Sequence, residues 1–333
     1  MPEVVLPFTA GELTEFLNTG DKKYGKFSDA GIFGTPKPLA GRIAYIDIAN
    51  RTLRAAGSHP LGAPGSDVSR DTASTRVVEV PHFPARDAIA PVDVAGQRLV
   101  GTQERMALAP HIADVLGSHR DRFEMTREYL FAGALRGIVR DGFGNTLFNV
   151  FTEFGVAQVT KSIGAGVNLQ LWCMELSRAI EDGMHADTMN GVDVYCSRSY
   201  FDNLLTIPSF REVFLNTEQA LARLGSDVRN TGIQFAGVNF IEYSGQIRNE
   251  AGTMEKLVPE GEAIPVPRGT RNTFKQWVAP PDFNETINRA QTTEFWAKME
   301  AQEFGRGYKL HSQFNILPAA LNPNVLLRLT IAP

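Results

Sequence analysis

Apolar and polar residues alternate along RIAYIDIANRTLR (42–54), placing Ala44, Ile46 and Ile48 on one side and Ile43, Tyr45 and Asp47 on the other. A period of two predicts a β-strand, and RVVEVPHF (76–83) answers it with Val77, Val78 and Val80. Between them AAGSHPLGAPGSDVSRDTASTR (55–76) has almost nothing to bury. Long structureless connections are uncommon in compact domains and are either functional or disordered. The pattern therefore predicts a hairpin with a long tip. A lone two-stranded hairpin is marginal in water, and both faces of this one carry apolar groups, so it needs a further surface, either its own domain or another chain.

The helical period is clearest in SHRDRFEMTREYLFAGALRGIVRD (118–141), where Phe123, Leu130, Ala134 and Ile138 form an apolar stripe and Ser118 with Asp121 resembles a capping box. This predicts a helix over 118–140, stopped by Gly142 and Gly144 and followed by a strand. Gly133 and Gly137 lie four apart and cost about 1 kcal/mol each relative to Ala. They are either tolerated core glycines or a small-residue face that another backbone can approach. Downstream, VNLQLWCMELSRAIEDG (167–183) reads as an amphipathic helix, VDVYCS (192–197) as a strand, SYFDNLLT and SFREVFLNTEQALARL as helices, and IQFAGVNFIEYSGQ (233–246) as two strands or one bent strand. Loops around a short strand at 273–278 precede a closing strand, VLLRLTI (325–331). Helices and strands mix without a steady βαβ alternation, which favours an α+β fold.

The chain has 333 residues, 43% hydrophobic and 21% charged, enough to bury a substantial core. Lys and Arg number 33 against 37 Asp and Glu, a net charge of −4 with the signs interleaved, which argues against a nucleic-acid groove. No stretch approaches the roughly 20 apolar residues needed to span a bilayer, and the N-terminus lacks a signal-peptide pattern. With two cysteines, Cys173 and Cys196, in no motif, synthesis in a reducing cytosol is the expectation.

The search for chemistry is mostly negative. GAGVNL (164–169) opens a helix but lacks the third glycine of a dinucleotide motif and the Gly-Lys-Ser/Thr ending of a P-loop, so a tight turn is the plain reading. The six histidines are scattered without ligand spacing, no Gly-x-Ser-x-Gly elbow occurs, and Cys173 beside Trp172 reads as a buried inert thiol. No catalytic residue, cofactor or metal is expected.

The order of elements carries the strongest signal. The hairpin, the long helix with AGALRGIVRDGFGNTLFNVFTEFG behind it, the FIEYSGQ strand (240–246) and the closing GRGYKLHSQFNILPAALNPNVLLRLTIA together resemble the lambda-type major capsid proteins of tailed bacteriophages, the phage capsid protein E family, from about Pro36 onward. The resemblance implies the Hong Kong 97-type capsid fold: an N-terminal arm (1–40), an extended hairpin arm or E-loop (41–86), a peripheral domain (87–164 and 291–333) with a spine helix (118–140), and an axial domain (165–290). It implies a non-catalytic subunit forming hexamers and pentamers of an icosahedral virion shell around double-stranded DNA, assembled in the host cytoplasm, with a separate scaffolding protein, a portal and a decoration protein as partners.

On that expectation the arm meets a neighbouring copy through Ile46, Ile48, Arg70, Asp71, Arg76 and Val78. The neighbour's spine helix offers Glu124, Glu128, Gly133 and Gly137. Two rivals are an encapsulin-like nanocompartment shell and a soluble cytosolic enzyme whose hairpin is a lid.

Overall fold

The computed structural model describes residues 7–19, 25–49, 73–95, 108–164, 166–184, 187–209, 211 and 232–332, excepting the side chains of 47–49 and 73–74. The long helix spans Leu108–Leu135 and buries Ile112, Leu116, Phe123, Leu130, Phe131 and Leu135. These side chains belong to a first hydrophobic core shared with Leu13, Leu17, Phe27 and Phe33 from the N-terminal segment. One antiparallel sheet of this core orders Phe295–Ala301, Tyr308–Phe314 and Phe83–Ile89; another sheet orders Lys37–Pro38, Phe274–Val278 and Ile316–Ala320.

A second core lies under a six-stranded mixed sheet, in the order Thr160–Ile163, Arg328–Ile331, Glu262–Pro267, Val192–Cys196, Val238–Glu242 and Ile233–Phe235. Helices Leu169–Met184 and Arg198–Thr206 cover it with Leu169, Leu176, Ile180, Tyr200 and Leu204. The strand period of two explains how one sheet serves both cores. Val192, Val194 and Cys196 join the second core, whereas the intervening Tyr195 joins the first.

Several boundaries differ from the sequence expectation. The long helix starts ten residues before Ser118, whose hydroxyl donates to the Asp114 carbonyl 3.2 Å away inside the helix instead of capping it. It ends at Leu135, not Arg140, because Gly137 takes φ +82° and the chain turns into strand Ile138–Arg140. A Cβ at Gly137 would stand 2.4 Å from the Phe151 ring, and one at Gly133 would stand 2.8 Å from the Ile138 carbonyl oxygen. Gly133 thus leaves room for its own chain's backbone, and Gly137 for its own chain's Phe151 ring.

Residues 7–19 and 25–40 do not stand off as an arm. Thr9 and Glu12 form a reciprocal capping box, with Thr9 N–H donating to the Glu12 carboxylate at 2.7 Å, and helix Ala10–Thr19 lies on strand Phe295–Ala301 through bonds from Thr14 and Asn18. The closing strand Arg328–Ile331 enters the six-stranded sheet rather than the sheets of the first core, while Phe274–Val278, expected with the axial segment, belongs to the first core. At GAGVNL the Asn168 side chain accepts from Leu171 N–H at 3.2 Å, which fits the plain helix-opening reading.

Candidate assembly surface

The hairpin is present as strands Ile43–Ala49 and Ala73–Glu79, paired antiparallel with Ala44 opposite Val78, Tyr45 opposite Val77 and Ile46 opposite Arg76. Alternation splits its two faces. Ala44 and Ile46 are fully buried in the first core and Val78 is half-buried against it. On the other face Ile43, Tyr45 and Val77 remain 50%, 62% and 63% exposed. Ile46, expected to meet a neighbour, is therefore buried in its own subunit and Val78 partly so, and among the described hairpin side chains the large apolar groups left exposed are Ile43, Tyr45 and Val77. Arg76 donates to the Glu153 carbonyl at 3.1 Å and stands 3.8 Å from the Glu153 carboxylate within the same chain. The backbone of Ile48 lies in the first strand, its side chain lies outside the described residues, and so do Arg70 and Asp71.

The carboxylates expected on the neighbour-facing side of the long helix are buried instead, Glu124 at 1% and Glu128 at 3% exposure. Glu124 pairs with Arg120 one turn away at 3.2 Å. Glu128 accepts from Phe27 N–H at 2.9 Å, Ser28 N–H at 3.0 Å, the Ser28 hydroxyl at 2.8 Å and the Tyr243 hydroxyl at 2.7 Å. Phe27 sets its ring edge-on against Tyr195 and Tyr243, with centroids 4.8 and 4.9 Å apart. The N-terminal segment thus closes over Glu128, and Glu124 is buried with its Arg120 partner inside the same subunit.

A groove of about 710 Å³ opens elsewhere along the helix, lined by Phe83, Met125, Tyr129, Phe143 and Ile247 and bordered by the Arg122–Glu250 ion pair. Phe143, 75% exposed, projects from the turn 141–144 that links strands Ile138–Arg140 and Thr146–Asn149. In the sequence DGFGN reads only as a stop signal. An aromatic residue between two glycines in a turn, with no period to place it in a core, was the available clue.

Elsewhere the side chains serve packing. Both thiols are buried, and burial pushes the Cys173 thiol up to about 12 and raises that of Cys196 well above its ordinary value. His119 bonds Ser312 at 2.9 Å and His82 bonds Asn315 at 2.8 Å. Among the described residues no group of three or more His, Cys, Asp or Glu could hold a metal ion, and no helix is long and apolar enough to cross a membrane.

Comparison with known proteins agrees with this architecture. Over 98% of its length the chain is 25% identical to the major capsid protein of Pseudomonas phage KPP10, covering 98% of that protein. Its fold matches a protein assigned to the capsid of a prophage of E. coli CFT073, with TM-score 0.60, 13% identity, and coverage of 98% of this chain and 100% of the other. It also matches the capsid of cyanophage P-SCSP1u, with TM-score 0.54, 11% identity, and coverage of 94% and 90%. These neighbours share the Hong Kong 97-type capsid fold. The family model described as phage major capsid protein E matches residues 9–331, and the chain belongs to that family of virion shell proteins.

Proposed function

We propose that the chain is a non-catalytic structural subunit, joining copies of itself as hexamers and pentamers of an icosahedral shell around phage double-stranded DNA. A separate scaffolding protein, a portal and a decoration protein are its proposed partners. The observation that carries the reading is the divided hairpin: one face closes on its own core while Ile43, Tyr45 and Val77 present apolar surface with nothing over it among the described residues. We assign that face to a second copy, seated in the groove beside its long helix, where Phe83, Met125, Phe143 and Ile247 supply matching apolar surface. Burying a side chain of Val or Ile size contributes about 1.5–3 kcal/mol, whereas an exposed ion pair contributes only about 0.2–1 kcal/mol. The apolar face therefore drives the contact, and rim charges such as Arg122 and Glu250 tune it. A near-neutral subunit also suits a container, since strong phosphate binding would oppose packing and release of DNA.

The test is sedimentation of the purified protein with negative-stain microscopy of the same sample, comparing wild type with Tyr45→Glu/Val77→Glu. Wild type should form capsomers or shells, and the variant should stay folded by circular dichroism yet sediment as small species. Normal shells from the variant would remove this face from assembly. A wild-type dimer or tetramer that never grows, even with scaffolding partner supplied, would overturn the shell reading.

A further inference from the structure

We propose that the seam between the two cores holds a binding site for a small phosphate-class oxyanion, gripped by Arg136, Arg140 and Arg328. A cavity of about 230 Å³ lies where the end of the long helix faces strands Glu262–Pro267 and Arg328–Ile331. Four cations line it, these three arginines and Lys256, against two carboxylates, Glu255 and Glu262. Lys256 pairs with Glu260 outside the lining, so the three arginines against the two carboxylates leave a surplus of one positive charge.

The carboxylates are already committed. Glu262 pairs with Arg328, and Glu255 accepts from the Tyr129 hydroxyl at 2.9 Å and the Asn249 amide at 3.0 Å. Among the described residues Arg136 and Arg140 make no ion pair or side-chain hydrogen bond. Arg136 is exposed overall, but its guanidinium end is crowded by protein; that desolvation, with Arg140 and Arg328 nearby, holds its pKa below the ordinary value against the opposing pull of Glu262. A cation just past the last helical turn is favoured by the helix dipole, which accounts for Arg136 alone. Arg140 and Arg328 stand on strands and have no such reason to converge. Planar guanidinium groups match phosphate oxygens in paired hydrogen bonds, and an anion matches the sign of the charge surplus. Filled, the site turns repulsion across the seam into attraction, tying the long helix to the six-stranded sheet. The proposal is independent of shell assembly.

Thermal unfolding of the purified protein is followed as inorganic phosphate replaces chloride at constant ionic strength. A bound ion should raise the melting temperature in a saturating curve, by about 1–2 °C for each 1 kcal/mol of binding free energy in a chain of this length. Arg136→Gln/Arg140→Gln should melt at or above the wild-type temperature without phosphate, because repulsion is relieved, and should lose the phosphate-dependent rise. Phosphorus NMR of phosphate with the intact protein reports the same site without relying on the variant. No rise and no broadening, or an equal rise in the double variant, would overturn the proposal. A duplex oligonucleotide that displaces phosphate through the same two arginines would make a phosphodiester the source; one that does not displace it assigns the free ion.

Discussion

The Tyr243 hydroxyl donates a 2.7 Å hydrogen bond to the Glu128 carboxylate, joining the FIEYSGQ segment to the middle of the long helix. The same carboxylate holds Phe27 N–H and Ser28 N–H at the start of the short helix Lys26–Asp29, so one buried side chain ties three distant segments. Burial, then the charge of Glu128 and its hydrogen bond, raise the Tyr243 pKa above its ordinary value, so the hydroxyl keeps its proton and donates. Tyr243→Phe should lower the unfolding free energy by about 1–2 kcal/mol. Glu128→Ala should cost about 3 kcal/mol or more, because two N–H groups and two hydroxyls lose their acceptor together. Urea unfolding of the two variants measures the difference; equal effects would show that the backbone donors find other partners.

His119 gives the fold a pH dependence with a defined sign. Burial lowers its pKa from 6.5, Asp87 partly opposes this and Arg122 adds to it, while the ring nitrogen bonds Ser312. His311 shifts in the same direction, from burial first and then from Arg86 and His82, with Asp282 opposing. The folded state therefore binds protons less readily than the unfolded chain, so this stability is complete above pH 6.5 and is lost as pH falls below it. Urea midpoints should decline between about pH 6.5 and pH 5. The slope should be shallower in His119→Asn/His311→Asn; an unchanged slope would assign the acid sensitivity to carboxylates alone.

The two faces of the hairpin should separate in mutagenesis. Ile46 is fully buried in its own subunit, so Ile46→Ala should cost about 2–5 kcal/mol of subunit stability. Tyr45 is 62% exposed and stands opposite Val77 in the hairpin, so Tyr45→Ala should cost less than about 1 kcal/mol. Denaturation of unassembled subunits reads the first effect and shell yield reads the second. A Tyr45→Ala protein as unstable as Ile46→Ala would mean that its ring packs inward.

Local pattern carried part of this far. The period of two located both hairpin strands and put Ala44 and Ile46 on one side, but both sides bear apolar groups, so pattern could not say which side closes on its own core. Glu124 and Glu128 read as surface because charge on a helix normally does; Glu128 is instead bonded by a segment a hundred residues earlier, Phe27 and Ser28, that no local period reveals. Gly137 was visible as a small residue, while its role in ending the helix depends on Phe151 packing where a Cβ would stand. The groove beside the long helix and the destination of the closing strand are likewise long-range pairings. Order of elements, more than any single motif, made the architecture legible.

The thiols provide a last check on the second core. Cys173 lies beside Trp172 on helix Leu169–Met184 and Cys196 ends strand Val192–Cys196, both at zero exposure and both with pKa raised chiefly by burial. A thiol reagent attacks the thiolate, so it must wait for the core to open. In the folded protein neither cysteine should react with an aromatic disulfide reagent at neutral pH, and in denaturant both should react. Cys173→Ser should leave assembly intact while costing about 1–3 kcal/mol, since a hydroxyl replaces sulfur in apolar surroundings. Rapid modification of the native protein would show that the helix Leu169–Met184 lifts from its sheet under native conditions, and loss of shells in Cys173→Ser at unchanged subunit stability would give that thiol a part in assembly.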